Sequence, residues 1–271
     1  MVDYEIDKIN YSEYVGIVKE TNRPSGGIKT VHKVCVNAYI NKNSKVLEIG
    51  CNTGFTSINI ARLTNAEVTG IDLVEESIKE SKRRAELEKN LKLNFEKESV
   101  TNLPYEDNTF DVLWLSNVLS FIKDKEAAIK ECFRVLKNNG FLVFIPIYYL
   151  SQPDNELLDK VEEAIGTKID VRTKKDWLNL IDKFPFYKRI LYQEDFKYKD
   201  VGSKINSYLE NVFDKKELKN LEKSSREKLF KKGEYFMKLF NENLKYAGYS
   251  IFIIQKLEFE EEEELFLTEK K

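Results

Sequence analysis

Residues 46–55, Val-Leu-Glu-Ile-Gly-Cys-Asn-Thr-Gly-Phe, combine an acid with small side chains at a spacing that suits ligand binding. Glu48, Gly50, Asn52 and Gly54 occupy alternate positions between an apolar β-type run and a helical pattern that begins at Phe55. Glycine lets the backbone approach a ligand, and the following helix offers unpaired N–H groups. The pattern predicts a strand–loop–helix unit that binds a polar ligand. A tight turn that binds no ligand would have the same sequence pattern.

A second β-type run, residues 67–73, ends beside an acid. Asp72 comes eighteen residues after Gly54, about where a doubly wound fold places the carboxylate that binds a ribose diol. One carboxylate can accept hydrogen bonds from both hydroxyls. The glycine loop and the acid together predict a nucleoside-containing ligand.

The details of the loop distinguish among nucleoside-binding families. Neither G-x-G-x-x-G nor the Gly-Lys-Ser/Thr of a P-loop occurs there. The pattern Glu48-x-Gly50-x-Asn52-x-Gly54, with Cys51 between, resembles the first motif of the class I S-adenosylmethionine-dependent methyltransferases. The resemblance covers residues 45–150 and includes several motifs in order. It implies S-adenosylmethionine as cofactor and an α/β fold, a doubly wound, seven-stranded, mostly parallel sheet with an antiparallel closing strand.

The resemblance also implies contacts to the adenine. Residues 99–111 resemble a family segment whose first acid accepts from the adenine amino group, and Ser99 stands at that position here. A hydroxyl can still accept one hydrogen bond. Val100 would offer its backbone N–H to the adenine edge, and Leu73 would pack on the adenine face. Ser116 and Asn117 follow the fourth predicted strand, where an open sheet binds its ligand.

The N-terminal segment carries the other candidate contacts. By analogy with the family, residues 1–40 form a helical lid, and Arg23, in the turn 22–27, pairs with the cofactor carboxylate. A surface arginine at a turn is an equally good explanation. Tyr14 in the lid, and Tyr148 and Tyr149 after the fifth strand, are candidate substrate contacts, with packing as the alternative for each.

The remaining segments predict the domain organisation. Residues 41–202 and 248–260 form the core, residues 203–247 an inserted helical cap, and residues 261–271 an acidic tail. Within the core, residues 125–137 are predicted to be a helix that Gly140 ends in a left-handed conformation.

Composition narrows the possible partners and locations. The chain has 271 residues, 42% hydrophobic and 33% charged, with a formal net charge of −2. No excess of positive charge indicates a nucleic-acid or membrane partner, and no apolar run approaches the ~20 residues that a bilayer span needs. Without a signal-peptide pattern, the expected location is the cytoplasm. Three cysteines (Cys35, Cys51, Cys132) and the single His32 favour neither a metal site nor thiol catalysis.

These observations favour methyl transfer to a small-molecule O, N or C nucleophile. Such a reaction depends mainly on positioning and water exclusion, so the sequence identifies no catalytic base. Two alternatives stay open. An RNA or protein methyltransferase would need a basic face on the insertion, built from Lys204, Lys215, Lys216, Lys219, Lys231 and Lys232. A non-catalytic S-adenosylmethionine-binding protein is the other.

Overall fold

The computed structural model describes residues 5–171 and 173–259, and the predicted acidic tail lies outside them. Eight strands form one sheet in the described part of the chain. They are β1 (Lys45–Ile49), β2 (Glu67–Asp72), β3 (Leu93–Lys97), β4 (Phe110–Ser116), β5 (Leu136–Ile145), β6 (Ile147–Tyr149), β7 (Lys188–Lys197) and β8 (Ala247–Lys256).

The sheet is doubly wound around β1. Strands β3, β2, β1, β4 and β5 lie side by side and run parallel, whereas β8 pairs antiparallel with β5 and with the edge strand β7. β6 continues β5 after Pro146, since Phe144 pairs with Phe252 and Ile147 with Tyr249 in one unbroken register. The predicted fold class is confirmed, with the fifth of the seven strand positions divided into two segments.

Ten α-helices accompany the strands in the described residues. They are α1 (Tyr11–Ile17), α2 (Ile28–Asn37), α3 (Phe55–Thr64), α4 (Glu75–Ala85), α5 (Lys125–Val135), α6 (Asn155–Ile165), α7 (Lys174–Asp182), α8 (Ile205–Phe213), α9 (Lys216–Lys219) and α10 (Lys223–Leu244). None of them is both long and apolar enough to cross a bilayer.

Helices cover both faces of the sheet, as a parallel sheet requires. On one face α2 and α3 bury Val31, Val34 and Ile60 against the strands. On the other, Phe133 of α5 and Trp177 of α7 join the core beneath β4 and β5. Both faces of the sheet are therefore buried, and the loops at the carboxyl ends of its strands are left to bind a ligand.

A separate apolar cluster joins the N-terminal segment to the insertion. Tyr14 of α1 packs with Phe213 of α8 and Phe236 of α10, and α6 contributes Val161. Residues 203–247 are largely helical, and this cluster connects them to α1. Their assignment as a cap over the functional face stays a prediction.

The predicted end of α5 is wrong. The helix stops at Val135 and β5 starts at once, so no left-handed glycine terminates it. Asn139, with φ of 63°, takes the left-handed conformation, and Gly140 does not. A Cβ at Gly140 would lie 2.9 Å from the carbonyl oxygen of Asp111. Gly140 is needed there for close packing.

Candidate functional site

The glycine loop between β1 and α3 takes a strained backbone path. Gly50, Asn52 and Gly54 have φ of 73°, 49° and 85°. The N–H groups of Gly50 and Cys51 both donate to the carbonyl oxygen of Ile71 at 2.9 Å. A Cβ on Gly50 would approach Cγ2 of Val118 to 2.7 Å, so this position admits only glycine. The loop is fixed by its own backbone and by the neighbouring strand.

Val118 adjoins the candidate site, and the sequence analysis did not single it out. It begins the 3₁₀ turn Val118–Phe121 directly after Asn117, and its side chain touches the glycine loop. Its place next to the predicted pair Ser116 and Asn117 was the only available signal.

Glu48 lies beneath the loop. Its side chain is buried, and Oε2 accepts from the backbone N–H of Ser57 at 2.8 Å and from the Ser57 hydroxyl at 2.5 Å. Burial raises the pKa of Glu48 to about 7, against the opposing effect of these hydrogen bonds. The carboxyl holds the first turn of α3 in place and so positions the loop from below.

Asp72 stands at the end of β2, facing the loop. Its Oδ2 accepts from the N–H of Asn52 and its Oδ1 from the N–H of Val74, both at 2.9 Å. Burial raises the pKa of Asp72, and the backbone N–H donors oppose that rise. A carboxylate has about four lone-pair sites, so each oxygen keeps capacity for a hydroxyl donor. The acid and the loop are brought together as predicted.

An exposed apolar side chain, that of Leu73, follows Asp72 directly in the chain. Leu73 is 64% exposed, which is unusual for a leucine beside a buried strand. At the end of β3, Val100 is buried and the Ser99 hydroxyl is 2.8 Å from that of Thr101. The three residues predicted to contact the adenine, Leu73, Ser99 and Val100, thus lie just after the carboxyl ends of the adjacent strands β2 and β3.

The end of β4 forms the next part of this edge. Asn117 has φ of 54°, and its N–H donates to the carbonyl oxygen of Ile145 at 2.8 Å. Its side-chain oxygen accepts from the Ser120 hydroxyl at 3.0 Å. Asn117 therefore has a defined structural role in the turn, and Ser116 lies beside it on the strand.

The N-terminal segment lies across the loop. The Thr53 hydroxyl donates to the carbonyl oxygen of Glu20 at 2.5 Å, and Arg84 of α4 donates to Thr53 and to the carbonyl oxygen of Lys19 at 3.0 and 2.9 Å. Arg23 is exposed, with its guanidinium carbon 5.3 Å from the ring centre of Phe55. Arg23 thus stands at the start of α3, next to the loop.

The three candidate tyrosines have different surroundings. Tyr148 is buried, with its hydroxyl 2.8 Å from that of Ser250, and Tyr149 donates to Asn243 of α10 at 2.9 Å. Tyr14 is fully buried, and within the described residues its hydroxyl has no hydrogen-bond partner. Of the three, Tyr14 alone presents an unsatisfied polar atom.

A buried acid that the sequence analysis did not consider lies near Tyr14. Glu20 is 5% exposed, and its Oε1 accepts from the Tyr208 hydroxyl at 2.6 Å. Burial raises the pKa of Glu20, while Tyr208, Lys215 and Arg23 oppose the rise. Only the tertiary contact between the N-terminal segment and α8 reveals this pair, because the two residues are far apart in the sequence.

The six lysines of the insertion do not share one role. Lys215 turns inward and donates to the carbonyl oxygen of Lys19, Lys219 pairs with Asp214 at 2.6 Å, and Lys232 donates to the carbonyl oxygen of Asp7 at 2.9 Å. The other three, Lys204, Lys216 and Lys231, are exposed. Three of the six lysines thus have a hydrogen-bond or ion-pair partner, and the Lys219–Asp214 pair lies at the surface.

The cysteines are buried and unpaired, and burial raises the pKa of Cys35 to about 12. In the described ranges no group of three or more His, Cys, Asp or Glu side chains is arranged to hold a metal ion.

Comparison with known proteins identifies the family. A family model described as "Methyltransferase domain" matches residues 47–144, which contain the loop, Asp72 and the turn at Asn117. Residues 47–144 thus form a methyltransferase domain of the class I, S-adenosylmethionine-dependent type. The chain is a methyltransferase, and S-adenosylmethionine is its cofactor.

Relatives of this methyltransferase are moderately similar. An uncharacterized protein of Haemophilus influenzae is 29% identical over 185 residues, which cover 66% of this chain and 72% of that protein. A ubiquinone biosynthesis O-methyltransferase of Coxiella burnetii is 27% identical over 152 residues, which cover 54% of this chain and 64% of that protein. The methyltransferase thus matches just under two thirds of the length of the Coxiella protein.

Solved structures share the fold of this methyltransferase. The crystal structure of MccD protein superimposes with a TM-score of 0.70 at 22% identity, covering 87% of this chain and 99% of that one. The likeness in fold therefore extends over most of this chain and nearly all of that one.

Proposed function

We propose that this methyltransferase acts on a small-molecule acceptor and binds its cofactor along the carboxyl edge of β1, β2 and β4. The observation that carries the proposal is the contact between Asp72 and the N–H of Asn52, which sets a carboxylate beside the glycine loop. Acid and loop then face one ligand from two strands.

The residues at this edge fit S-adenosylmethionine. Asp72 has lone pairs for the ribose hydroxyls, and the exposed Leu73 offers an apolar surface to the adenine. Arg23 has no ion pair with any carboxylate of the described residues, so its guanidinium is available to the cofactor carboxylate. Glu48 contributes from below by fixing the loop.

The bound cofactor supplies an activated methyl group, so the protein need only orient the acceptor and exclude water. The lid does the second of these tasks: Thr53, Glu20 and Arg84 hold residues 19–20 directly against the loop. Such a closed arrangement suits a small acceptor better than a polymer.

The charge of the insertion supports the same choice. Recognition of RNA would require an array of free cations, whereas Lys215 and Lys232 donate to backbone carbonyl oxygens and Lys219 forms an ion pair with Asp214. The printed name of the Coxiella relative, a ubiquinone biosynthesis O-methyltransferase, is also consistent with a small acceptor.

The test is calorimetric titration with S-adenosylhomocysteine, S-adenosylmethionine and NAD. We expect binding of the first two and none of NAD. Asp72→Ala should weaken binding by roughly 1.5–3 kcal/mol, the usual effect of losing hydrogen bonds to a charged group. Asp159→Ala, at an exposed position on α6, is the matched control and should bind as the wild type does.

Three results would count against the proposal. Equal affinity of Asp72→Ala and the wild type would remove the ribose assignment. Slow consumption of S-adenosylmethionine in the presence of every small acceptor, together with transfer to bulk RNA or protein, would instead favour the polymer alternative. Binding without any consumption would favour the non-catalytic one.

A further inference from the structure

A charged cleft of about 450 Å³ lies between α3 and α4, where both meet residues 19–21 and the start of α9. Asp72, Leu73 and Asn117 are not among the described residues that line it, so the cleft is separate from the edge proposed for the cofactor. Its walls carry five basic and three acidic side chains, an excess of two positive charges. They are Lys19, Arg62, Arg83, Arg84 and Lys215, and Glu80, Glu88 and Glu217.

One buried carboxylate serves three of these cations. The side chain of Glu80 is 2% exposed, and it accepts from Nε and Nη2 of Arg83 and from Nε of Arg84, each at 2.8 Å. Nζ of Lys19 lies 3.8 Å from the same carboxylate. A single negative charge cannot neutralise three positive ones, so this part of the cleft stays positive.

Lys215 adds a cation that no described carboxylate contacts. Arg62 and Glu88 form an ion pair of their own, and Lys215 donates instead to the carbonyl oxygen of Lys19. Burial and the charge of Arg84 both lower the pKa of Lys215, which shows that its positive charge is incompletely compensated. A cleft with such an excess of one sign concentrates ions of the other.

The cations also keep N–H groups for a ligand. Among the described residues, Nη1 of Arg83 and Nζ of Lys19 have no hydrogen-bond acceptor, and Nζ of Lys215 has a third N–H beyond the two that donate to the carbonyl oxygens of Val18 and Lys19. The side chains of Arg83 and Lys19 are 48% and 30% exposed, so a ligand can reach them. Several charged donors around one space suit an oxyanion.

Glu20 and Arg23 lie near these cations without lining the cleft. Glu20 interacts with the charges of both Lys215 and Arg23. One carries a negative and the other a positive charge, so together they leave the excess of two unchanged.

An apolar wall stands beside the charged one. Phe55 and Ile58 of α3 line the cleft together with Leu87, which follows α4 and is 71% exposed. An organic group attached to the anion could cover these side chains and remove apolar surface from water.

We propose that this cleft binds a phosphate group, free or as the monoester of a small molecule, through Lys19, Arg83 and Lys215. A phosphate monoester carries about −1.5 to −2 charges at pH 7, which matches the excess on the walls. The site is additional to the one for methyl transfer and does not depend on the proposed function. A ligand there would join the N-terminal segment, α4 and the start of α9, and should raise the temperature of thermal unfolding.

The probes are inorganic phosphate, phenyl phosphate and phenol, titrated by calorimetry in a phosphate-free buffer into the protein saturated with S-adenosylhomocysteine. We expect both phosphates to bind at one site per chain and phenol not to bind. Tighter binding of phenyl phosphate would assign the cleft to a monoester, and equal binding would assign it to phosphate itself.

Arg83→Gln and Lys215→Gln should each weaken phosphate binding about tenfold, the effect of losing a charged hydrogen-bond donor. The affinity for S-adenosylhomocysteine should stay as in the wild type. Lys82→Gln and Lys216→Gln are the matched controls, since these exposed lysines adjoin Arg83 and Lys215 in the chain but do not line the cleft. Each control removes the same charge and should leave phosphate binding unchanged.

Thermal unfolding of every variant separates loss of binding from loss of fold, and Arg83, at an exposed position, keeps the test valid if Lys215→Gln is unstable. Three outcomes would overturn the inference. They are no binding of either phosphate to the wild type, equal weakening in the controls and the cleft variants, and binding that occurs only without S-adenosylhomocysteine. Failure of S-adenosylhomocysteine itself to bind would contradict the proposed function and leave the phosphate titration to be read alone.

Discussion

Two regions meet at the site, and different forces hold them. The glycine loop, residues 50–54, is fixed by backbone groups: two N–H groups donate to Ile71, a third donates to Asp72, and Gly50 leaves no room for a Cβ. The roof, defined here as α1, α8 and α10, is held by side chains, including the Glu20–Tyr208 hydrogen bond and the rings around Phe236.

This difference separates what is common to the family from what is particular to the chain. A loop held by backbone hydrogen bonds and by two acids, Glu48 and Asp72, depends on few side chains, which suits a cofactor shared by many enzymes. A roof built from side chains changes with each substitution, which suits the recognition of one acceptor. Substitutions in the loop and substitutions in the roof should therefore have different effects on stability and on cofactor binding.

The largest effect is expected at Glu48, under the loop. Its pKa rises from 4.5 to about 7 on folding, so its protonated form is favoured in the folded state. Its contribution to stability is fully present below pH 4.5 and is lost as the pH rises to about 7. The change corresponds to about 3 kcal/mol in the free energy of unfolding. Glu48→Gln should lack this dependence in urea unfolding between pH 4.5 and 7.5.

Glu163→Gln, an exposed position on α6, is the control for Glu48 and should keep the wild-type pH profile. If Glu48→Gln kept the wild-type dependence of stability on pH, the pKa of Glu48 would not change on folding. Glu48 would then contribute less to the stability of the loop.

The next effect concerns the roof. A Cβ at Gly233 of α10 would lie 2.0 Å from the Tyr14 hydroxyl and 2.8 Å from the ring carbon that carries it. Gly233→Ala should therefore lower the free energy of unfolding by about 2 kcal/mol through overpacking, although alanine is the better helix former. Adding Tyr14→Leu should recover part of the loss in urea unfolding. The affinity for S-adenosylhomocysteine should change little.

Lys231→Ala, two residues away on the exposed side of α10, controls for helix propensity. A large loss of cofactor affinity in Gly233→Ala would contradict the separation of loop and roof.

The smallest effect is expected at Arg84, which connects the two regions. Arg84 donates to Thr53 of the loop and to the carbonyl oxygen of Lys19 beside α1. Arg84→Ala should make opening of α1 easier by about 1 kcal/mol, seen as faster hydrogen exchange of the α1 amides. Arg83→Ala removes a partner of the same Glu80 without touching the lid and should leave exchange in α1 unchanged. Equal exchange in both variants would mean that the lid is held by the roof alone.

The sequence by itself determined the sheet and the edge at which the candidate site lies. Strand periodicity, the glycine spacing and the position of Asp72 are local patterns, and local backbone geometry converts them directly into structure. The loop, Asp72, Leu73 and Asn117 accordingly lie together at the carboxyl ends of adjacent strands. The end of α5 was predicted wrongly because a glycine has more than one use, and only packing shows that Gly140 serves close approach.

Only the tertiary structure decided how the helices of the roof, α1, α8 and α10, pack together. Glu20 and Tyr208 are separated by 188 positions, and Tyr14 meets Gly233 across a similar distance in the chain. No periodicity links such pairs, because their contact depends on how the N-terminal segment and residues 203–247 pack against each other. The burial that raises the pKa of Glu20 exists only after that packing, so its chemistry is a property of the fold and not of any sequence motif.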